Sequence, residues 1–222
     1  MQNKLNHREL SMYTPRAFAE ERLDLLHGFM ERHSFGTLVW AAEGRVEASH
    51  LPLRLDRSIG RHGQLLGHMA RANSQWKSAD GGRVLVIFHG PHAYISPTWY
   101  EAEDTVPTWN YVAVHATGTF HVIDDRERLR EIVRLTVDAY EAALPVPWTM
   151  DHMEAAFADQ LLHEIVGFAV EIETLEGKWK LNQNHPRDRR ERVIRALRLR
   201  PGEAEQQIAQ LMETQWVESG GP

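Results

Sequence analysis

The chain has 222 residues, 42% hydrophobic and 25% charged, with a net charge of -6, the balance of a globular protein built as one large domain or one domain with a helical appendage. It contains no cysteine, which excludes disulfides, thiolate metal sites and cysteine nucleophiles. The acidic balance argues against a broad nucleic-acid footprint and leaves only a local basic patch open.

The strongest apolar run, Val84 to Phe88, has the length of a buried strand and falls far short of a membrane span. Met1 to Leu10 are polar and lack the apolar core of a signal peptide, so the expected compartment is the cytoplasm. Recognisable organisation begins at Met12, and residues 1–11 read as an N-terminal extension. Thr14-Pro15 predicts a helix start, because threonine caps a free N–H and proline at the first helical position loses nothing. Phe18, Leu26, Phe29 and Met30 then line one side of a helix ending near His33. Phe35 to Trp40 reads as a strand, followed by a turn at Glu43-Gly44 and a second strand from Val46 to Leu55.

The middle of the chain is strand-rich. Gln64 to Met69, Arg83 to His89, His92 to Ile95 and Trp109 to Ile123 all read as extended, with turns at Gly60 to Gly63 and at Gly90-Pro91. Asp124-Asp125 caps a helix in which Leu129, Ile132, Val133, Val137 and Tyr140 recur at helical spacing. A helix over Asp151 to His163 and a strand over Gly167 to Leu175 follow. The tail is helical from Arg187 to Leu199, breaks at Pro201-Gly202, and resumes with Ile208, Leu211, Met212 and Trp216 as an apolar stripe. About seven strands between a leading hairpin and a late return strand predict an α+β domain with a closed or nearly closed barrel.

Four segments carry more polar and aromatic character than a core requires. Ala48 to Leu53 places Ser49 and His50 in a strand otherwise built for burial. In Gly67 to Trp76 a strand ends, Arg71 follows, and Asn73 is placed to cap a short helix. A helix start beside an arginine suits a phosphate, which the free N–H groups and the guanidinium both attract; the plainer reading is a surface charge and a simple cap. Tyr94 to Tyr100 and Val106 to Tyr111 form a rigid aromatic wall, against a planar ligand or over a loop cluster. In Leu175 to His185, Lys178 and Lys180 flank a tryptophan just after a strand, as a solvated cationic edge or a second contributor to an anion site.

Taken in order, the phrases Gly-His-Met-Ala-Arg-Ala-Asn, Tyr-Ile-Ser-Pro-Thr-Trp-Tyr, Val-Pro-Thr-Trp-Asn-Tyr-Val-Ala-Val-His and Glu-Gly-Lys-Trp-Lys-Leu-Asn-Gln-Asn resemble the PaiB family of FMN-binding negative transcriptional regulators. The resemblance runs from Met12 to about Trp216; Ser74 stands where the family has proline. It implies a split β-barrel with flanking helices and a helical C-terminus, related to pyridoxamine-phosphate oxidases and flavin reductases. It also implies a homodimer with FMN at the subunit interface. In domain terms it divides the chain into the extension 1–11, a split-barrel domain 12–185 and a helical segment 186–222. Carried over by residue, Ser49, His50 and Leu51 line the isoalloxazine, and His68, Arg71 and Asn73 hold the ribityl-phosphate end. Lys178, Lys180 and Gln183 complete the site from the partner subunit.

Three functions compete. A flavin-binding regulator follows from the resemblance, yet no helix-turn-helix is visible, and the only DNA-facing surface is the arginine run from Arg187 to Arg200, which also reads as a solvated helix face. An FMN-dependent oxidoreductase would use His50 or His68 to polarise a substrate or the flavin, without a constellation that identifies the reaction. Haem binding would draw on His89, His92, His115 or His185 as axial ligands.

Overall fold

The computed structural model describes residues 12–42 and 44–218, with side chains to Gln215. The extension over residues 1–11, Glu43 of the first hairpin turn and the side chain of Trp216 lie outside the described residues. The elements are β1 (Ala19–Glu20), α1 (Leu23–Arg32), β2 (Phe35–Ala42), β3 (Arg45–Pro52), β4 (Arg54–Asp56), β5 (Gln64–Ala70), α2 (Gln75–Ala79) and β6 (Arg83–Ile95). They continue with β7 (Thr108–Ile123), α3 (Arg126–Glu141), α4 (Ala155–His163), β8 (Ile165–Lys180), α5 (Arg187–Arg198) and α6 (Glu203–Glu218).

The strands pair antiparallel in the order β3-β2-β6-β7-β8-β5-β4, with β1 on β8. β3 and β4 stand at opposite ends of that order, yet Leu53 alone separates them in the chain. One residue spans only about 3.5 Å, so the sheet curls until its two edges meet. Leu53 is 2% exposed and its side chain is the nearest neighbour of Gly36 and a close neighbour of Gly67, where any larger residue would prevent the edges from approaching. The result is the split-barrel architecture expected from the resemblance, with Val86, Phe88, Val112, Val114, Phe120 and Phe168 filling the interior.

Helices close what the strands leave open. Leu26, Phe29 and Met30 of α1 enter the core, and the Phe29 ring lies 5.3 Å from that of Trp179. Asp125 caps α3 by accepting from the Arg128 N–H at 2.7 Å, and Ile132 of α3 packs with Leu66 and Ala169 on the outer face of β5 and β8. α5 and α6 contribute Val193, Leu197, Ile208, Ala209 and Met212 to the same core as the barrel.

Some elements differ from the sequence reading. No helix starts at Thr14: a 3-10 turn (Arg16–Phe18) follows Pro15, and Ala19 and Glu20 pair with Lys178 and Gly177 before α1 begins at Leu23. Tertiary pairing there outcompetes a local helix signal. Gly90-Pro91 does not end a strand; β6 runs through it with a bulge between His89 and His92, and a Cβ on Gly90 would fall 2.7 Å from the Phe29 ring. β8 does not stop at Leu175 but continues to Lys180, because β7 still pairs with it there. α4 starts at Ala155, a 3-10 turn (Met150–His152) taking the residues before it.

Gly118 sits at a second bulge, where the β7–β8 register shifts, and a Cβ there would lie 1.9 Å from the Glu171 carbonyl oxygen. Gly118→Ala is expected to lower stability by at least about 2 kcal/mol, through forced separation of two core strands. In urea denaturation Gly44→Ala, at φ 77° with open space around it, should cost about 1 kcal/mol, from backbone strain alone.

Candidate functional site

In an antiparallel ladder, residues directly opposite one another project to the same side. The registers therefore set out a row on the outer face of the sheet running from His50 of β3 through Thr37, Ile87 and His115 to Glu176 of β8. A parallel row joins His92, Tyr111 and Lys180, and a third pairs Tyr94 with Trp109. The rings are in contact: His89 meets His92 edge to face at 5.2 Å, His92 lies 6.1 Å from Trp109, and Tyr94 meets Trp109 at 5.9 Å. Phe35, Tyr94 and Trp109 are 67%, 46% and 53% exposed. Exposed aromatics this close together on a flat face mark a binding surface rather than a core.

Two cations project from the same face of β8. Lys178 is only 8% exposed; its Nζ donates to the Tyr13 carbonyl at 2.7 Å and lies 5.4 Å from the ring centres of both Tyr13 and Tyr111. Lys180 donates to Thr108 Oγ1 and, at 2.7 Å, to the Trp109 carbonyl. Burial and then the charge of Lys178 hold Lys180 below the usual lysine range. Burial, followed by Lys178 and His89, likewise pushes His115 down. Among the described residues neither lysine forms an ion pair. A nearly buried ammonium without a carboxylate is costly unless an anion or aromatic faces compensate it.

The remaining sequence candidates fall elsewhere. Ser49 lies opposite buried Leu38 and accepts from Asn73 Nδ2 at 2.8 Å, so the first and second segments do meet, at the end of the barrel where β3 faces β5. Asn73 does not occupy the helix cap position, which is Ser74, but its Oδ1 accepts from the Gln75 N–H at 3.0 Å. Gln75 in turn donates to the Leu38 and Glu47 carbonyls. His50, on the outer face, bonds Thr37 Oγ1 through Nδ1 at 3.0 Å. Leu51 packs against the core. His68 lies opposite Gly167, which faces Leu129 of α3; its Nδ1 is buried without a partner among the described residues, and burial pushes the imidazole below its ordinary range.

Arg71 is engaged, its Nε donating to the His163 carbonyl at 2.6 Å and its Nη2 to the Ile165 carbonyl at 2.8 Å. It borders a cleft of about 260 Å3 with Trp76, Arg126 and His163. Gln183 folds back on its own turn, accepting from the Leu181 N–H and donating to the Trp179 carbonyl. Since Ile165 opens β8 and Lys180 closes it, Arg71 and the lysines are separated by roughly 40 Å of strand within one chain. Within one protomer Arg71 and the two lysines therefore do not meet at one site. Of the histidines considered as haem ligands, His89 and His92 meet in ring contact and His89 acts on His115, whereas His185 stacks on Tyr100 at 4.9 Å. Among the described residues no group of three or more His, Cys, Asp or Glu has the geometry to hold a metal.

The arrangement suits a planar anion: aromatic and imidazole rings for the plane, unpaired lysines for the charge. Residues 12–174 match the family described as "Putative FMN-binding domain". The chain is also 35% identical over 203 residues to the protease synthase and sporulation protein PAI 2 of Bacillus subtilis, covering 91% of this chain and 97% of that protein. The chain belongs to the PaiB-type FMN-binding family. Among solved structures, a flavocytochrome of Azotobacter vinelandii aligns with a TM-score of 0.53 at 11% identity, over 73% of this chain and 69% of its own. A conserved protein of Mycobacterium tuberculosis aligns with a TM-score of 0.53 at 12% identity, over 79% of this chain and 94% of its own. These likenesses establish the shared fold.

For a PaiB-type chain the sequence reading missed Tyr13, whose carbonyl and ring hold Lys178, and Thr37, which orients His50. Tyr13 carries no local signal, because its role depends on the N-terminal segment crossing β8. Thr37 belongs to β2 and becomes legible only through the β2–β3 register.

Burial is the first cause of depression at His33, His62, His68, His115 and His185 alike. Their folded values lie below the unfolded value near 6.5, so the unfolded chain binds protons first as pH falls. Stability is therefore expected to be fully present above about pH 6.5 and to decline as pH drops through the folded values. Urea midpoints at stepped pH check this, and His68→Gln should flatten the decline.

Proposed function

We propose that the protein is a PaiB-like FMN-binding protein in which two copies of the chain hold each flavin between them, and that it acts in negative control of transcription. The observation that carries the flavin reading is Lys178, a nearly buried cation with no ion pair among the described residues, clasped between two tyrosine rings on a face rich in exposed aromatics. Such a site is incomplete without an anion, and a phosphorylated planar cofactor supplies both parts. The separation of Arg71 from the two lysines supports the two-copy arrangement. Ser49, His50 and Leu51 of one copy border the ring, His68, Arg71 and Asn73 border the ribityl-phosphate, and Lys178, Lys180 and Gln183 come from the other copy. Arg71 remains suited to phosphate, because two carbonyls fix its guanidinium and leave Nη1 without a bond to them. Bound FMN supplies redox chemistry; the chain binds it, orients it and shields it from water.

The regulatory half of the reading rests on the likeness to PAI 2. Direct DNA contact through α5 has little support from its charges. Arg187 bonds Glu191, Arg192 bonds Asp188 and Arg198 bonds Glu213, so three of the seven arginines of the run are balanced on their own hairpin. A gel shift at low salt is expected to show no binding through α5; a shift that weakens steeply with salt would return α5 to DNA.

The flavin reading is tested by titrating FMN against its visible absorbance. Arg71→Ala and Lys178→Met are each expected to weaken binding by at least about tenfold, the loss of one charge-assisted contact. Mixing the two variants in equal amounts should restore wild-type affinity at about a quarter of the sites, since half of the pairs are mixed and each mixed pair rebuilds one intact site of its two. Wild-type affinity in either single variant, or tight flavin binding by a chain that scatters light as a monomer, would overturn the arrangement.

A further inference from the structure

A second cleft lies behind Lys180, between the loop 101–108 and the turn that follows β8. It encloses about 270 Å3 and is bordered by Phe18, Asp104, Val106, Lys180, Asn182 and His185, which places it at the small end of ligand sites. The three described non-glycine residues with left-handed backbone, Glu101, Asp104 and Asn182 at φ 47°, 56° and 63°, all lie in the two segments that form it. Backbone of this kind is held only where the surroundings dictate it, and it gathers at functional sites. Here the cause is visible for Asn182: it is 2% exposed, and its Nδ2 donates to the Tyr100 hydroxyl at 3.0 Å. That bond ties the turn to Tyr100, on which the His185 ring is stacked at 23°.

The polar groups left over define a ligand. An ammonium has three protons; Lys180 commits two, to Thr108 Oγ1 and the Trp109 carbonyl. The imidazole nitrogens of His185 and the carboxamide of Asn184 have no hydrogen-bond partner among the described residues, although both residues border the cleft. Phe18, Val106 and His185 supply its apolar and aromatic lining. Asp104 places one carboxylate at the cleft against the ammonium of Lys180, and Arg189, whose charge acts on His185 together with that of Lys180, leaves one positive charge in excess, so the site balances one negative charge on the ligand and disfavours a phosphate dianion.

We propose that this cleft binds a small planar carboxylic acid as its monoanion, with Lys180 as the charge partner and His185 as the surface on which the ring lies. The site is distinct from the flavin face and stands without it, although Lys180 borders both.

Benzoate is the probe, with benzamide as its neutral counterpart and cyclohexanecarboxylate as its non-planar one. Titrated into the full chain, benzoate is expected to shift the His185 imidazole protons saturably in NMR spectra. Benzamide and cyclohexanecarboxylate should bind at least about fivefold more weakly, since each lacks one of the two recognition elements, charge or plane. Lys180→Gln is expected to weaken benzoate by at least about tenfold, and Lys180→Arg to retain most of the affinity by keeping the charge. Equal binding of benzoate and benzamide, no movement of the His185 protons, or unchanged affinity in Lys180→Gln would overturn the assignment. FMN titration of the same samples by visible absorbance reports on the flavin reading separately, so a failure of one is distinguishable from a failure of the other.

Discussion

The structure depends on one short connection. With Leu53 as the sole residue between strands at the two edges of the sheet, a flat arrangement is geometrically excluded, since the edges of a seven-strand path would stand roughly 28 Å apart at the usual strand spacing. Closure brings β3 to β5, and with them Ser49 to Asn73 and the Gln75 side chain to the Leu38 and Glu47 carbonyls. Leu53, buried against Gly36 and Gly67, converts that covalent constraint into packing. Everything on the outer face is placed by this curl, because it decides which side of each long strand points outward.

The long strands β6, β7 and β8 then carry the chemistry beyond the barrel's end. Each bulge adds a residue to one strand, bending the ladder and turning its side chains. The bulge between His89 and His92 lets both histidines stand on one face, and the one at Gly118 bends β7 and β8 where a side chain would strike Glu171. The α5–α6 hairpin seals the inner side of this extension, with Met212 Sδ accepting from Asn110 Nδ2 at 3.5 Å. One side of the extension is thereby core and the other remains bare, which is the condition for a binding face.

Electrostatics on that face are unbalanced. Lys178 and Lys180 stand two positions apart on one strand, and each lowers the proton affinity of a neighbour: Lys178 acts on Lys180 and on His115, and Lys180 on His185. Glu176 accepts from the Met12 N–H at 3.1 Å and is thus partly occupied by the segment that also supplies the Tyr13 carbonyl to Lys178. The N-terminal strap reduces the cost of burying the ammonium but adds no negative charge. An incoming anion meets a face already desolvated and short of counter-charge, where a charge–charge contact is worth more than at an open surface.

Much of this was legible from residues alone. The alternation of Val112 and Val114 with Tyr111, Ala113 and His115 identified β7 and its two faces, since a strand's period is a local property. The Asp125 cap and the helix it opens were equally readable, and the family phrases pointed to the split barrel and to FMN. Other features belong to pairing and closure, which no local window contains. Ala19 and Glu20 became a strand because β8 was there to receive them, and β8 outran Leu175 because β7 continued beside it. The register alone put His50, His115 and Lys180 on one face, while the length of β8 set Arg71 and the lysines at opposite ends of it. Residue type carries chemistry and local period; only long-range contacts, once the chain has closed on itself, decide which chemistries become neighbours.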